Sequence, residues 1–98
     1  MSSKKGKPSK AHEDEELDEQ VLQDLIDNVR RRRNELGYSQ HEAARRAHLD
    51  LDYFPAFESG NRRNPEFRTL MKIARALETT LSALFTSPAD GKLAGRKR

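Results

Sequence analysis

Between Val21 and Phe85 the apolar residues recur at intervals of three and four, the spacing of helices that bury one face. Val21, Leu22, Leu25, Ile26, Val29 and Leu36 form the first such stripe and predict a helix over roughly 18–36. Gly37 can stop it by turning left-handed. Ser39 and Glu42 then read as a capping box, with the Ser39 hydroxyl accepting from the Glu42 amide and the Glu42 carboxylate reaching back to the Ser39 amide. A second helix follows from Gln40 to Ala47, and its small Ala43, Ala44 and Ala47 suit close packing against a neighbour. Asp50 offers a cap for a third helix carrying Tyr53, Phe54 and Phe57, which the polar loop Gly60–Asn64 ends. Asn64 and Pro65 read as an N-cap and a first helical residue. They predict a fourth helix with Phe67, Leu70, Met71, Ile73, Ala74 and Leu77 turned inward. Thr79 or Thr80 caps a short fifth helix with Leu81, Leu84 and Phe85. The expected fold class is all-α, a compact five-helix domain with no convincing strand.

Outside this span there is little to bury. Residues 1–17 are expected to form a disordered charged tail, residues 18–86 the folded domain, and residues 87–98 a basic flexible tail. Charge follows the same division: the first 19 residues hold four lysines against six acids, residues 20–86 eleven bases against nine acids, and residues 87–98 four against one. The net charge of +3 is compatible with a nucleic-acid partner. The absence of cysteine removes disulfides, thiolate zinc sites and cysteine nucleophiles. His12, His41 and His48 show no metal-ligand spacing, and no cofactor is expected. No segment has the length and hydropathy of a membrane span or a signal peptide, so the expected location is cytoplasmic.

Two short helices joined by a tight turn, then a Glu-x-Gly and a polar loop into Asn-Pro, make a more specific pattern. Val29 to Gln40, Ala47 to Asp50, Phe57 to Gly60, and Arg63 to Pro65 with Leu70, Ile73, Ala74, Ala76 and Leu77 are similar to corresponding segments of the phage repressor and Cro, or XRE-type, helix-turn-helix family. The resemblance covers about residues 22–86. It implies that the third helix reads DNA, with Leu51, Asp52 and Ala56 at base-reading positions. It implies phosphate contacts for Gln40, Ser59, Asn61, Arg62 and Arg63, and a partly buried ion pair between Arg33 and Glu58 that braces the recognition helix. It further implies a homodimer, with Leu81, Leu84 and Phe85 contributing to the interface.

Several residues depart from an ordinary DNA-reading helix. Between His48 and Gly60 there is no Lys, Arg, Asn or Gln, the side chains that most often bond guanine or adenine. Asp52 can accept from cytosine N4, but its net effect near phosphates is expected to be repulsive. Pro55 requires the third helix either to kink or to start late, and a start at Pro55 itself is reasonable. His48 stands where the turn usually has glycine, which predicts a strained or altered turn. Four consecutive arginines, Arg30 to Arg33, must point in four directions, so Arg30 and Arg31 are either phosphate contacts or an ordinary solvated face. Arg45 and Arg46 are equally open. Phe54 and Phe57 are expected in the core, and Tyr53 is expected to be the more exposed aromatic.

The expected function is therefore that of a sequence-specific DNA-binding transcription regulator, a repressor or autoregulator acting as a homodimer on double-stranded DNA. The competing expectation is a protein-interaction module that kept the fold and lost specific reading, with the acidic N-terminal segment as a possible contact for a protein partner. No paired nucleophile and base, phosphate-cradling loop or metal motif points to an enzyme.

Overall fold

The computed structural model describes residues 7–87, with side chains from residue 19 onward. Five helices make up the described residues: α1 (Lys7–Leu36), α2 (Gln40–Ala47), α3 (Tyr53–Glu58), α4 (Phe67–Ala76) and α5 (Leu81–Phe85), with no strand among them. α1 packs against α3 and α5, and α4 packs against α2 and α5. At the centre lie Val29, Ala43, Ala44, Phe54, Phe57, Ile73 and Leu77, all inaccessible to solvent.

α1 starts at Lys7 rather than near residue 18, taking in residues 7–17 of the segment expected to be a disordered tail. Once a packed helix is nucleated, adding a residue costs little, and Ala11, Glu13, Glu15, Glu16 and Leu17 are all good helix formers. Almost all of the expected basic tail, from residue 88, lies outside the described residues, as does the side chain of His12.

Each of α1 to α4 ends on a left-handed residue: Gly37, His48, Gly60 and Glu78, with φ of 77°, 60°, 88° and 55°. The same paired hydrogen bonds close each end. After α2, for instance, the His48 N–H donates to the Arg45 carbonyl at 3.2 Å and the Leu49 N–H to the Ala44 carbonyl at 2.9 Å. The turn at His48 thus keeps the regular closing pattern, and the cost of histidine there is borne as backbone strain rather than by altering the turn.

The start of α3 resolves the difficulty of Pro55. Asp52 occupies the N-cap, and the first helical bond runs from the Ala56 N–H to the Asp52 carbonyl at 3.2 Å. Pro55 therefore sits in the first turn, where its missing N–H would have had no helical acceptor. The helix starts late, at Tyr53 rather than at Pro55 itself. Asp50 does not cap it through its side chain; its carbonyl instead accepts from the Tyr53 N–H at 2.9 Å.

Other expectations need correction. The Ser39 hydroxyl accepts from the Glu42 amide at 3.0 Å, but Glu42 turns away from Ser39 to Arg46 and Arg45, so the capping box is half made. α4 begins at Phe67 and not at Pro65, because Glu66 is still extended, with φ −75° and ψ 155°. Asn64 and Pro65 instead run along α1, sharing a shallow groove with Val21, Leu22 and Leu25. Leu70, Ile73, Ala74 and Leu77 fill the inward stripe, while Phe67 and Met71, at its edge, are 66% and 46% exposed. Val21 and Phe85 are exposed as well, whereas Leu84 is buried in the core and Tyr53 is buried rather than exposed. Thr80 is the residue that caps α5, its hydroxyl accepting from the Ala83 N–H at 3.0 Å.

His48→Gly relieves left-handed strain at the end of α2 and is expected to stabilise the fold by about 0.5–1 kcal/mol, net of the greater freedom glycine gives the unfolded chain. Urea unfolding checks this, and an unchanged or lower midpoint counts against strain at His48.

Candidate nucleic-acid interface

The helix-turn-helix consists of α2, the turn through His48 to Asp52, and α3. A six-residue helix has too few internal bonds to stand alone, so α3 is held by what touches it. Its inner side is aromatic: the Tyr53 and Phe57 rings stack with centroids 5.9 Å apart, and Tyr53 meets Phe54 edge-on at 6.1 Å. Its C-terminal end is gripped by charge. Arg33 donates from Nε to Glu58 Oε2 at 2.7 Å and from Nη2 to Oε1 at 2.8 Å, while its Nη1 binds the Tyr38 carbonyl at 2.9 Å. Both side chains are nearly removed from solvent, with 11% of Arg33 and 4% of Glu58 accessible. A pair so placed forgoes much hydration, which the two parallel charge-assisted bonds offset.

The neighbouring arginines serve the same end by different routes. Arg30 donates to the Glu58 carbonyl at 2.8 Å, closing a free carbonyl at the end of α3. Arg32 donates to the Leu77 and Glu78 carbonyls at 2.9 and 3.1 Å, beyond the end of α4. Arg31 bonds the Asn28 side chain at 3.1 Å and faces Glu35. The four arginines do not take four separate directions: Arg30 and Arg33, one turn apart, converge on Glu58, and only Arg31 and Arg32 diverge from them. Arg45 and Arg46 both pair with Glu42, and Arg46 also lies over the Tyr38 ring. Asn28, buried on α1, donates to the Leu84 and Thr86 carbonyls at 2.7 and 2.8 Å, fixing α5. Sequence pattern alone does not single out Asn28 or Arg32; a polar residue on the apolar stripe at Asn28 was the available signal.

Leu51 and Asp52 are exposed just ahead of α3, and Ala56 is half-buried on it. Ser59 is exposed at its end, with the hydroxyl donating to the Ala56 carbonyl at 3.0 Å. Asn61, Arg62 and Arg63 follow in the exposed connection to α4. They are differently engaged. Arg63 pairs with the Glu19 carboxylate, and the Arg62 guanidinium lies over the Tyr53 ring, 4.8 Å from its centroid. Gln40 turns one amide N–H inward, to Glu58 Oε1 at 2.9 Å, rather than presenting its whole amide outward. Asp50 and Asp52 are exposed, and neither side chain has a hydrogen-bond partner among the described residues. Burial pushes the Tyr53 hydroxyl above the ordinary tyrosine range, with Arg62 opposing the shift and Glu66 adding to it.

Glu58→Ala leaves Arg33 buried without its partner and is expected to destabilise the fold by about 3–5 kcal/mol. Replacing both residues, Arg33→Met with Glu58→Leu, is expected to cost clearly less than Glu58→Ala alone. Urea unfolding of the three proteins checks this, and a double replacement at least as costly as the single one contradicts the account of the pair.

The helix-turn-helix family model matches residues 29–84, more than half of the chain. The crystal structure of hypothetical transcription factor NHTF from Neisseria aligns with a TM-score of 0.73 at 28% identity, covering 79% of this chain and 87% of that one. No curated protein matches the sequence. The matched span opens at Val29, on the turn of α1 that carries the arginines, and runs through the start of α3 and its outward residues to Leu84. The chain belongs to the phage repressor and Cro, or XRE-type, helix-turn-helix family of DNA-binding transcription regulators.

Proposed function

We propose that this protein is a sequence-specific regulator, a repressor or autoregulator, that binds its operator as a homodimer. The observation that carries the proposal is the way α3 is held: its inner face and C-terminal end are fixed by the aromatic cluster and the Arg33–Glu58 pair, leaving its outward residues free to enter a groove. Leu51 and Ala56 suit apolar contact with thymine methyl groups, and Asp52 can accept from cytosine N4. With no Lys, Arg, Asn or Gln on this face, much of the discrimination falls to DNA shape and deformability. Arg62, Arg63, Asn61 and Ser59 supply phosphate contacts from the connection after α3, and Gln40 retains a second amide N–H for one at the start of α2.

A face for the second copy lies away from α3. In the register of α4, Thr69 flanks the groove beside the α2–α3 turn, whereas Leu70 shares a groove with Val21 and Phe85. Phe67 and Met71 fall on the Leu70 side, so four exposed apolar residues, Val21, Phe67, Met71 and Phe85, belong to one flank of the domain. Asp24 stands next to Val21 on α1, and Arg68 and Arg75 stand next to Met71 on α4. Acid at one edge and base at the other is self-complementary under a two-fold axis.

A second reading, as a protein-interaction module, draws on the exposed carboxylates of Asp50 and Asp52 beside the recognition helix. The acidic N-terminal segment is the contact it proposes for a protein partner.

Titration against random-sequence and genomic duplex DNA across a salt series separates the two. The regulator is expected to show a steep salt dependence and to enrich palindromic sites, and Arg62→Ala/Arg63→Ala, which removes two phosphate contacts from each of two copies, is expected to lower the slope by about 3.6 per bound dimer. Phe67→Ser/Met71→Ser is expected to give a folded monomer by sedimentation equilibrium with weakened operator binding. A folded dimer that binds no DNA at low salt refutes the regulator and favours the second reading.

A further inference from the structure

Arg62 is an exposed residue in an irregular connection, where an arginine ordinarily samples many rotamers and loses that freedom on binding. Here it is tied at both ends to α3. Its backbone N–H donates to the Ala56 carbonyl at 3.1 Å, and its guanidinium lies over the Tyr53 ring. The platform beneath it is rigid, because Tyr53 is 6% exposed and stacked on Phe57. The Tyr53 hydroxyl has no hydrogen-bond partner among the described residues. A buried unpaired hydroxyl costs stability, so hydrogen bonding does not account for the residue's place; the ring does.

The geometry of the contact matters for what Arg62 can still do. A cation–π contact uses the flat face of the guanidinium, whereas its N–H donors lie in the plane and point outward. The Arg62 side chain donates no hydrogen bond to any described residue, in contrast to Arg63, which is held by Glu19. Arg62 is thus oriented and still has its donors free.

We infer that Tyr53 is a positioning residue for DNA binding, its ring face holding the Arg62 guanidinium in place for a backbone phosphate before DNA arrives. This rests on the reading of Arg62 as a phosphate contact. Tyr53 touches no DNA in this account and acts only through Arg62, so its effect disappears when Arg62 is absent.

A double-mutant cycle on the full chain tests this, with a random-sequence duplex as the probe at low salt. Tyr53→Leu is expected to weaken binding about 2- to 5-fold. Tyr53→Phe, which keeps the ring and removes the unpaired hydroxyl, is expected to bind within about twofold of the wild type and to unfold at higher urea. In the Arg62→Ala background, Tyr53→Leu is expected to have no further effect. Tyr53→Met runs alongside in case the leucine variant does not fold, with the same outcome expected. The inference is overturned if the loss persists without Arg62, if phenylalanine fails to restore binding, or if removing the ring changes nothing. Should Arg62→Ala itself leave affinity and salt slope unchanged, the phosphate role of Arg62 falls, and the inference with it.

Discussion

A helix of five or six residues leaves most of its carbonyls without a partner inside the helix, and α3 and α5 are that short. The fold meets this constraint from one place. Along about one and a half turns of α1, Asn28 closes carbonyls at the end of α5, Arg30 and Arg33 bind the end of α3, and Arg32 binds the carbonyls beyond α4. Hydrogen bonds to charged groups are among the stronger stabilising contacts in a protein, each worth about 1.5–3 kcal/mol when desolvated. α1 is therefore both a wall of the core and the clasp that fixes the orientation of the recognition helix.

The same arrangement explains why a cation-rich sequence does not translate directly into a cationic DNA surface. Arg33 is sequestered by Glu58, while Arg45 and Arg46 share the Glu42 carboxylate and Arg63 meets Glu19 in exposed pairs that partly offset their charge yet leave them open to exchange for a phosphate. Around α3 the exposed charges are of both signs, with Asp50 and Asp52 on one side and Arg62 on the other. Phosphate attraction then depends on a few well-placed groups rather than on net charge, which is why the orientation of a single guanidinium carries weight.

Helix number, order and most of the core were legible in the chain because periodicity and glycine punctuation report directly on burial and helix ends. The α2 boundaries follow from Ser39 and from the alanines on its buried face. What escaped is what depends on three dimensions. The placement of Pro55 in a first turn requires knowing that Asp52, not Asp50, is the N-cap. The burial of Tyr53 depends on Phe57 and Arg62 covering it, and the exposure of Phe67 and Met71 on their place at the edge of the stripe that Leu70, Ile73, Ala74 and Leu77 bury. The roles of the arginine run could not be read from its charge, since Arg30 and Arg33 meet on Glu58, Arg32 reaches the carbonyls beyond α4, and Arg31 stays with its own helix neighbours Asn28 and Glu35.

The central claim, that α1 holds α3 so firmly that the recognition helix has no independent opening, is tested most directly by native-state amide hydrogen exchange. The account predicts that the Ala56 amide, bonded at the start of α3, and the Ser59, Gly60 and Asn61 amides, bonded across its end, exchange only through the global unfolding that also releases the centre of α1. If these amides instead exchange through a local opening several kcal/mol below global unfolding while α1 stays protected, α3 is not held in the way described here.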